Sequence, residues 1–301
     1  MSGHSKAAIQ ILFVCLFVAT STFTFAQDGS AAGKCTFQTL DIPAPAGSNP
    51  TPLALNDTGA IVGEMSTSTH NIVGFLFSGG RFTHFRFPGS ADTFPHDINR
   101  FGVIVGSFDT AGGSGQRAFL VHSGGFREVK IPGFPNAPAI ATGVNDQGDI
   151  TGQFNGNGSS LGFLLHQGRL TILSFPGAKG GTFSTSINNQ GVIVGFYHVF
   201  DDDVDHGFSW KNGAFTNVQF PGSGDTTPRK ISNTGDIVGN FADSNLKGRG
   251  FSFDKGRYTA IDPPNSLGTD ILGVNSSDQI VGVFATSSGN RNFKAGCTQV
   301  F

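Results

Sequence analysis

The chain is poor in the residues that most often build active sites. Its 301 residues include one Trp, two Tyr, two Met and three Cys, and its only glutamates are Glu64 and Glu128. A glycosidase-type carboxylate pair would therefore have to come from aspartates. The scarcity of Trp and Tyr leaves little for an aromatic sugar-stacking platform. No Gly-Lys-[Ser/Thr] phosphate loop and no Cys/His zinc spacing occurs. Charged residues make up 13%, about half the ~25% of an average soluble domain. The formal net charge is −2, which gives no basic footprint for nucleic acid. Long helices are disfavoured as well, because Gly, Asn, Thr and Ser crowd every segment and Gly costs ~1 kcal/mol at a helical position.

What is abundant is Gly (44 residues) and Phe (31 residues), within a hydrophobic share of 38%. That share can bury a core, so the chain is not a disordered one. The composition predicts an all-β protein.

The N-terminus carries Lys6, an apolar run from Ala7 to Ala19 broken only by Gln10, and then Thr24-Phe25-Ala26. A charged start, a short apolar stretch and a small residue at the end describe a secretory signal peptide over residues 1–26. The run falls short of the ~20 residues a spanning helix needs, so no membrane span is expected after cleavage. Val14 and the apolar residues after Cys15 argue against lipidation there. Residues 27–34 are expected to form a flexible lead, and 35–301 the folded domain. The predicted location is secreted or periplasmic, an oxidising setting in which Cys35 and Cys297 can pair.

Self-similarity sets the architecture. The stretch Ile187-Asn188-Asn189-Gln190-Gly191-Val192-Ile193-Val194-Gly195 has counterparts that end at Gly63, Gly106, Gly152, Gly239 and Gly282, at spacings of 43 to 46 residues. Phe75, Phe119, Phe163, Phe208, Phe251 and Phe293 recur in step, as do Pro43, Pro88, Pro132, Pro176, Pro221 and Pro264. Each unit reads as four short strands. In the second copy they fall at about Pro95–Asn99, Val103–Phe108, Ala118–Val121 and Phe126–Ile131. Asn-x-x-Gly and Gly-Gly elements supply turns in which Asn and Gly tolerate positive φ. Four strands at a ~40–45 residue period predict a six-bladed β-propeller.

The proline marker starts before the first Asn-x-x-Gly, and the last unit lacks a fourth strand. The N-terminal strand should therefore complete the final blade. Aligning Phe37 with Phe82 puts Cys35 at the Gly80 position and Cys297 near Gly79. A Cys35–Cys297 bridge would replace the missing hairpin turn, worth about 5 kcal/mol in the chain-entropy model. The run Ile187–Tyr197, then His206-Gly207-Phe208, then Phe220-Pro221-Gly222, resembles the HAF-repeat family of bacterial extracellular proteins, over nearly the whole mature chain. Position 206 departs from the pattern, its counterparts being Val73, Arg117, Leu161, Arg249 and Arg291. The resemblance implies an exported repeat protein and no particular chemistry.

Turns one–two and three–four share one face of such a ring. The longer, divergent loops two–three and four–one share the other, where variable loops on a rigid scaffold concentrate function. Three constellations there are candidates. Asp201, Asp203 and Asp205 open like an oxygen-ligand calcium loop, but Gly207 comes one place late and position 212 is Asn, so a solvated acidic loop is the competing reading. His96, on an inner strand, and His206, at the loop face, could approach one another across blades, although no histidine spacing is that of a metal site. Arg117, Arg249 and Arg291, with Arg229 nearby, could form an anion-binding ring, or be ordinary surface charge paired with Asp109, Asp243 and Asp225. No catalytic residue and no cofactor beyond calcium is predicted. The expected function is a non-catalytic binding module, monomeric, for a protein or a cell-surface or polysaccharide ligand. The alternative is a metal-assisted hydrolase or lyase with its site at the channel mouth.

Overall fold

The computed structural model describes residues 34–69, 71–110, 115–156, 158–199 and 204–298. The segment 1–26 and most of 27–34 lie outside them, as do His70, Asp201 and Asp203. Among the described residues, twenty-four strands form six four-stranded antiparallel sheets, and there is no helix. The innermost strands are β2 (Pro50–Leu55), β6 (Thr93–Ile98), β10 (Ala139–Val144), β14 (Gly181–Ile187), β18 (Thr226–Ile231) and β22 (Gly268–Val274). Each contacts the next around the ring, and β22 contacts β2, so the six blades close a propeller. In the second blade the strands run Thr93–Ile98, Ile104–Asp109, Gln116–His122 and Gly125–Glu128, within a few residues of expectation except at the short outer one.

The sixth blade is built from both ends of the domain. Strand β1 (Lys34–Thr39) pairs with β24 (Gly289–Thr298), with Cys35 opposite Cys297 and Phe37 opposite Ala295. Cys35 and Cys297 are disulfide-bonded, their Cα atoms 4.1 Å apart. The bridge therefore stands where Gly79 and Gly80 turn the first blade, at φ of 57° and 77°.

The repeat glycine has a steric cause. A Cβ on Gly63, Gly106, Gly152, Gly195, Gly239 or Gly282 would lie 2.0–2.2 Å from a carbonyl oxygen of the inner strand. In five of the six blades it would also press on the strand-three phenylalanine or on the neighbouring inner-strand backbone within 3.0 Å, and in the first blade it would meet the Phe75 ring at 2.6 Å. Phe75, Phe119, Phe163, Phe208, Phe251 and Phe293 are completely or almost completely buried. In three of the four Pro-Gly segments the residue ahead is a phenylalanine that stacks on a strand-two ring: Phe87 on Phe108, Phe175 on Tyr197 and Phe220 on Phe241, each at 3.7 Å and within 8° of parallel. The Phe excess is thus blade core, glycine and ring making one unit.

The Asn of Asn-x-x-Gly is not the left-handed residue of its turn. Positive φ belongs to Gly59, Gly102, Gly148, Gly191, Gly235 and, in the last blade, Asp278. The asparagine side chain instead ties blades together. Asn145 Oδ1 accepts from the Gln147 and Asp149 N–H groups, as Asn99 Oδ1 does from those of Phe101 and Val103. The Nδ2 groups of Asn56, Asn99, Asn145, Asn188 and Asn275 donate to the next blade's main chain, at Asn99, Asn145, Asn188, Ser232 and Asn56 respectively, over 2.8–3.3 Å. Five of six blade junctions are closed this way. Ser232 is too short to complete the sixth, and Asn240 does that work further up, accepting from the Ile271 N–H and donating to Asp270.

Candidate functional site

Every inner strand carries a β-bulge, at Leu53, His96, Thr142, Thr185, Arg229 and Leu272. Bulges re-aim side chains, and here they divide the channel. The position after the bulge is small in four blades: Ala54, Gly143, Ser186 and Gly273. In the second and fifth blades, which stand opposite one another, it is Asp97 and Lys230. Lys230 Nζ reaches Asp97 Oδ1 at 2.9 Å and donates to the main-chain oxygens of His96 and Thr142. Asp97 Oδ2 accepts from the Val144 N–H. Both side chains are about one-tenth exposed. This charged spoke crosses the axis with all its partners supplied, the condition for a buried pair to hold.

Turnward of the spoke lies a recess of about 50 Å³, lined by Asn56, Asp57, Asn99, Asp146, Asn189 and Asn233, among others. Its rim is self-satisfied: the Asp146 N–H donates to Asn189, the Asn189 N–H to Asn233, and Asn233 Nδ2 to Asp57. That volume holds a water or two. Loopward of the spoke, the register sets a second ring of cross-strand pairs: Thr51–Glu64, Phe94–Ser107, Ile140–Gln153, Phe183–Phe196, Thr227–Asn240 and Asp270–Val283. No two of these pairs are alike.

The predicted site residues do not form one cluster. Arg117 binds Glu128 at 2.6 Å and the main-chain oxygens of Pro135 and Asn136. Arg249 is held between Asp243 and Asp262, which keeps its guanidinium charged and the Asp243 carboxyl below the usual carboxylate range. Arg249 thus spends its fork within one blade, and Arg117 divides its fork between its own blade and the connection to the next. Arg229 and Arg291 are exposed. His96 touches Ser107 Oγ, and burial, together with the neighbouring Lys230 charge, lowers its pKa to about 4. His206 stacks on Tyr197. Asp205 is engaged through both carboxylate oxygens, to His198 and to Thr227. Among the described residues, no three His, Cys, Asp or Glu side chains converge as a metal site.

Asp225, considered only as a charge partner, is a staple. Its Oδ1 accepts from the Asp205 N–H at 2.7 Å, as Asp92 Oδ1 accepts from the Ile72 N–H at 2.6 Å, tying one blade to the next. Burial raises the Asp225 carboxyl, with the Asp205 charge adding to it. Burial likewise raises Glu64. The spoke itself had a signal in the sequence: opposite charges at one repeat position, three copies apart. Gly158–Gly162 has the Gly-x-Ser-x-Gly spacing of a nucleophile elbow, but Ser160 lies in β12 (Ser159–His166), paired with Asn155 and with no strand-to-helix turn.

No family model matches the chain, and no curated protein is similar to it in sequence. Solved structures do resemble it. TolB from Acinetobacter baumannii aligns over 91% of this chain and 79% of its own, at 11% identity and a TM-score of 0.53. AofleA from Arthrobotrys oligospora aligns over 91% and 92%, at 12% identity and 0.53. A mutant Aleuria aurantia lectin, solved in complex with Fucα1-6GlcNAc, aligns over 80% and 89%, at 12% identity and 0.52. At such identities the likeness is one of fold, and these neighbours bear out the six-bladed propeller.

Proposed function

We propose that this chain is an exported repeat protein, as the HAF-repeat resemblance implies, and that it acts as a non-catalytic binding module taking its ligand at the loop-face mouth of the channel. One observation carries the reading. The Lys230–Asp97 spoke crosses the axis and the turn-face rim satisfies itself, so the face that differs from blade to blade is the loopward one. Such differences on a common scaffold are where recognition is set. The Cys35–Cys297 bridge fits an oxidising compartment, and no helix among the described residues is long and apolar enough to cross a membrane.

Mass analysis of protein recovered from outside the cytoplasm should show a chain beginning after Ala26. Purified protein should be retained on an oligosaccharide or peptide array while carrying no stoichiometric metal. A tightly held divalent ion at one per chain would instead favour the metal-assisted hydrolase or lyase.

A further inference from the structure

We infer that the fourth-blade rim of the loop-face mouth is a subsite for a pyranose-like ring, a hydroxyl-rich group with one apolar face. The inference rests on the binding reading above and names its ligand class. Of the six ring pairs, Phe183–Phe196 alone sets two aromatic rings together, stacked at 4.9 Å and 15°. Both are half-buried rather than sealed in the core. The His198 ring packs on both, at 5.3 and 5.4 Å.

His198 is held by a chain of groups that crosses two blades. Its Nε2 meets Asp205 Oδ1, Asp205 Oδ2 accepts from Thr227 Oγ1 at 2.8 Å, and the Asp205 N–H donates to Asp225. A tie between blades does not require that chain. In the first blade the same staple to Asp92 is made by Ile72, which has no carboxylate and no histidine behind it. The His–Asp pair is therefore additional to the staple. It fixes the orientation of an imidazole that is 37% exposed, whose Nδ1 has no hydrogen-bond partner among the described residues.

A flat apolar surface bordered by a fixed imidazole, a carboxylate with lone pairs to spare and a threonine hydroxyl matches a sugar ring. The C–H face lies on phenylalanine, and the hydroxyl edge donates to and accepts from the polar groups. Among the described residues Asp205 pairs with His198 and not with a Lys or Arg, and Asp205 with Asp225 disfavours an anion.

The test is retention of fluorescently labelled protein on an oligosaccharide array and, in parallel, on a peptide array. Wild type should be retained on a subset of saccharides. Phe183→Ala and His198→Gln should each lose that retention at least tenfold. Phe183→Tyr, which keeps the ring, should hold it, as should Phe101→Ala on the opposite face. Thermal melting of each variant separates lost binding from lost folding. Unchanged retention in Phe183→Ala and His198→Gln overturns the subsite. Wild type retained on peptides and on no saccharide overturns the sugar class and leaves the binding reading standing; retention on neither array overturns both.

Discussion

The two ends of the channel are built by opposite rules. On the turn face, one asparagine is used five times in the same way, its Oδ1 capping a turn and its Nδ2 crossing to the next blade. On the loop face, the pairs at the mouth run from Thr51–Glu64 to Phe183–Phe196, and no two blades share a solution. The first end closes the ring and the second distinguishes one blade from another. Between them, the Lys230–Asp97 spoke crosses the axis.

The comparison can be broken at its centre. Lys230→Ala leaves the Asp97 carboxylate buried without its counter-ion, and should cost about 3–5 kcal/mol in denaturant unfolding. Replacing both partners with apolar residues should recover most of that loss. A double mutant as unstable as the single one would show that the loss comes from the spoke's own contacts and not from a stranded carboxylate.

Next in size is the covalent closure. Cys35→Ser with Cys297→Ser should lower stability by about 2–5 kcal/mol. Hydrogen exchange in the double mutant should rise first in β1 and β24.

A third effect depends on pH. His96 is held neutral to about pH 4 in the fold, whereas an unfolded histidine protonates near 6.5. The unfolded chain therefore binds more protons between pH 6.5 and 4, and stability falls as pH drops through that window, by at most about 3 kcal/mol. His96→Gln should flatten this slope in chemical denaturation at a series of pH values.

The belt supplies a smaller effect, with a sign that can be reversed. Asn188→Ala removes a buried inter-blade bond and two turn caps, and should cost about 1–3 kcal/mol. Ser232→Asn supplies the donor missing from the sixth junction and should add about 1 kcal/mol. Smallest is the loop face: Leu246, 88% exposed at φ 60°, should change to Gly within about 1 kcal/mol and in the stabilising direction, since glycine takes that φ without strain.

The ring itself was legible in the sequence because its causes recur. Gly63 and its five counterparts cannot carry a Cβ, the strand-three phenylalanines fill the space above them, and Cys35 and Cys297 fall on the turn that the chain ends remove. The asparagine belt was half legible: the residue was found, but its work was taken for turn conformation, because a contact to the next blade's main chain leaves no local signature. The candidate site was less legible still. Arg117 and Arg249 share a repeat position, yet each meets acids of its own blade. Phe183, His198, Asp205 and Thr227 come from three different repeat positions, so no alignment of the copies brings them together.

The central claim is that ligand is taken at the loop face and not at the turn face. Tethering tests it directly. Wild-type sequence carrying Phe101→Cys presents the loop face when biotinylated and immobilised, and Leu246→Cys presents the turn face. With soluble saccharides from the array as the probe, the first orientation should bind and the second should not. Equal binding in both orientations, or binding only when the turn face is presented, would contradict the account.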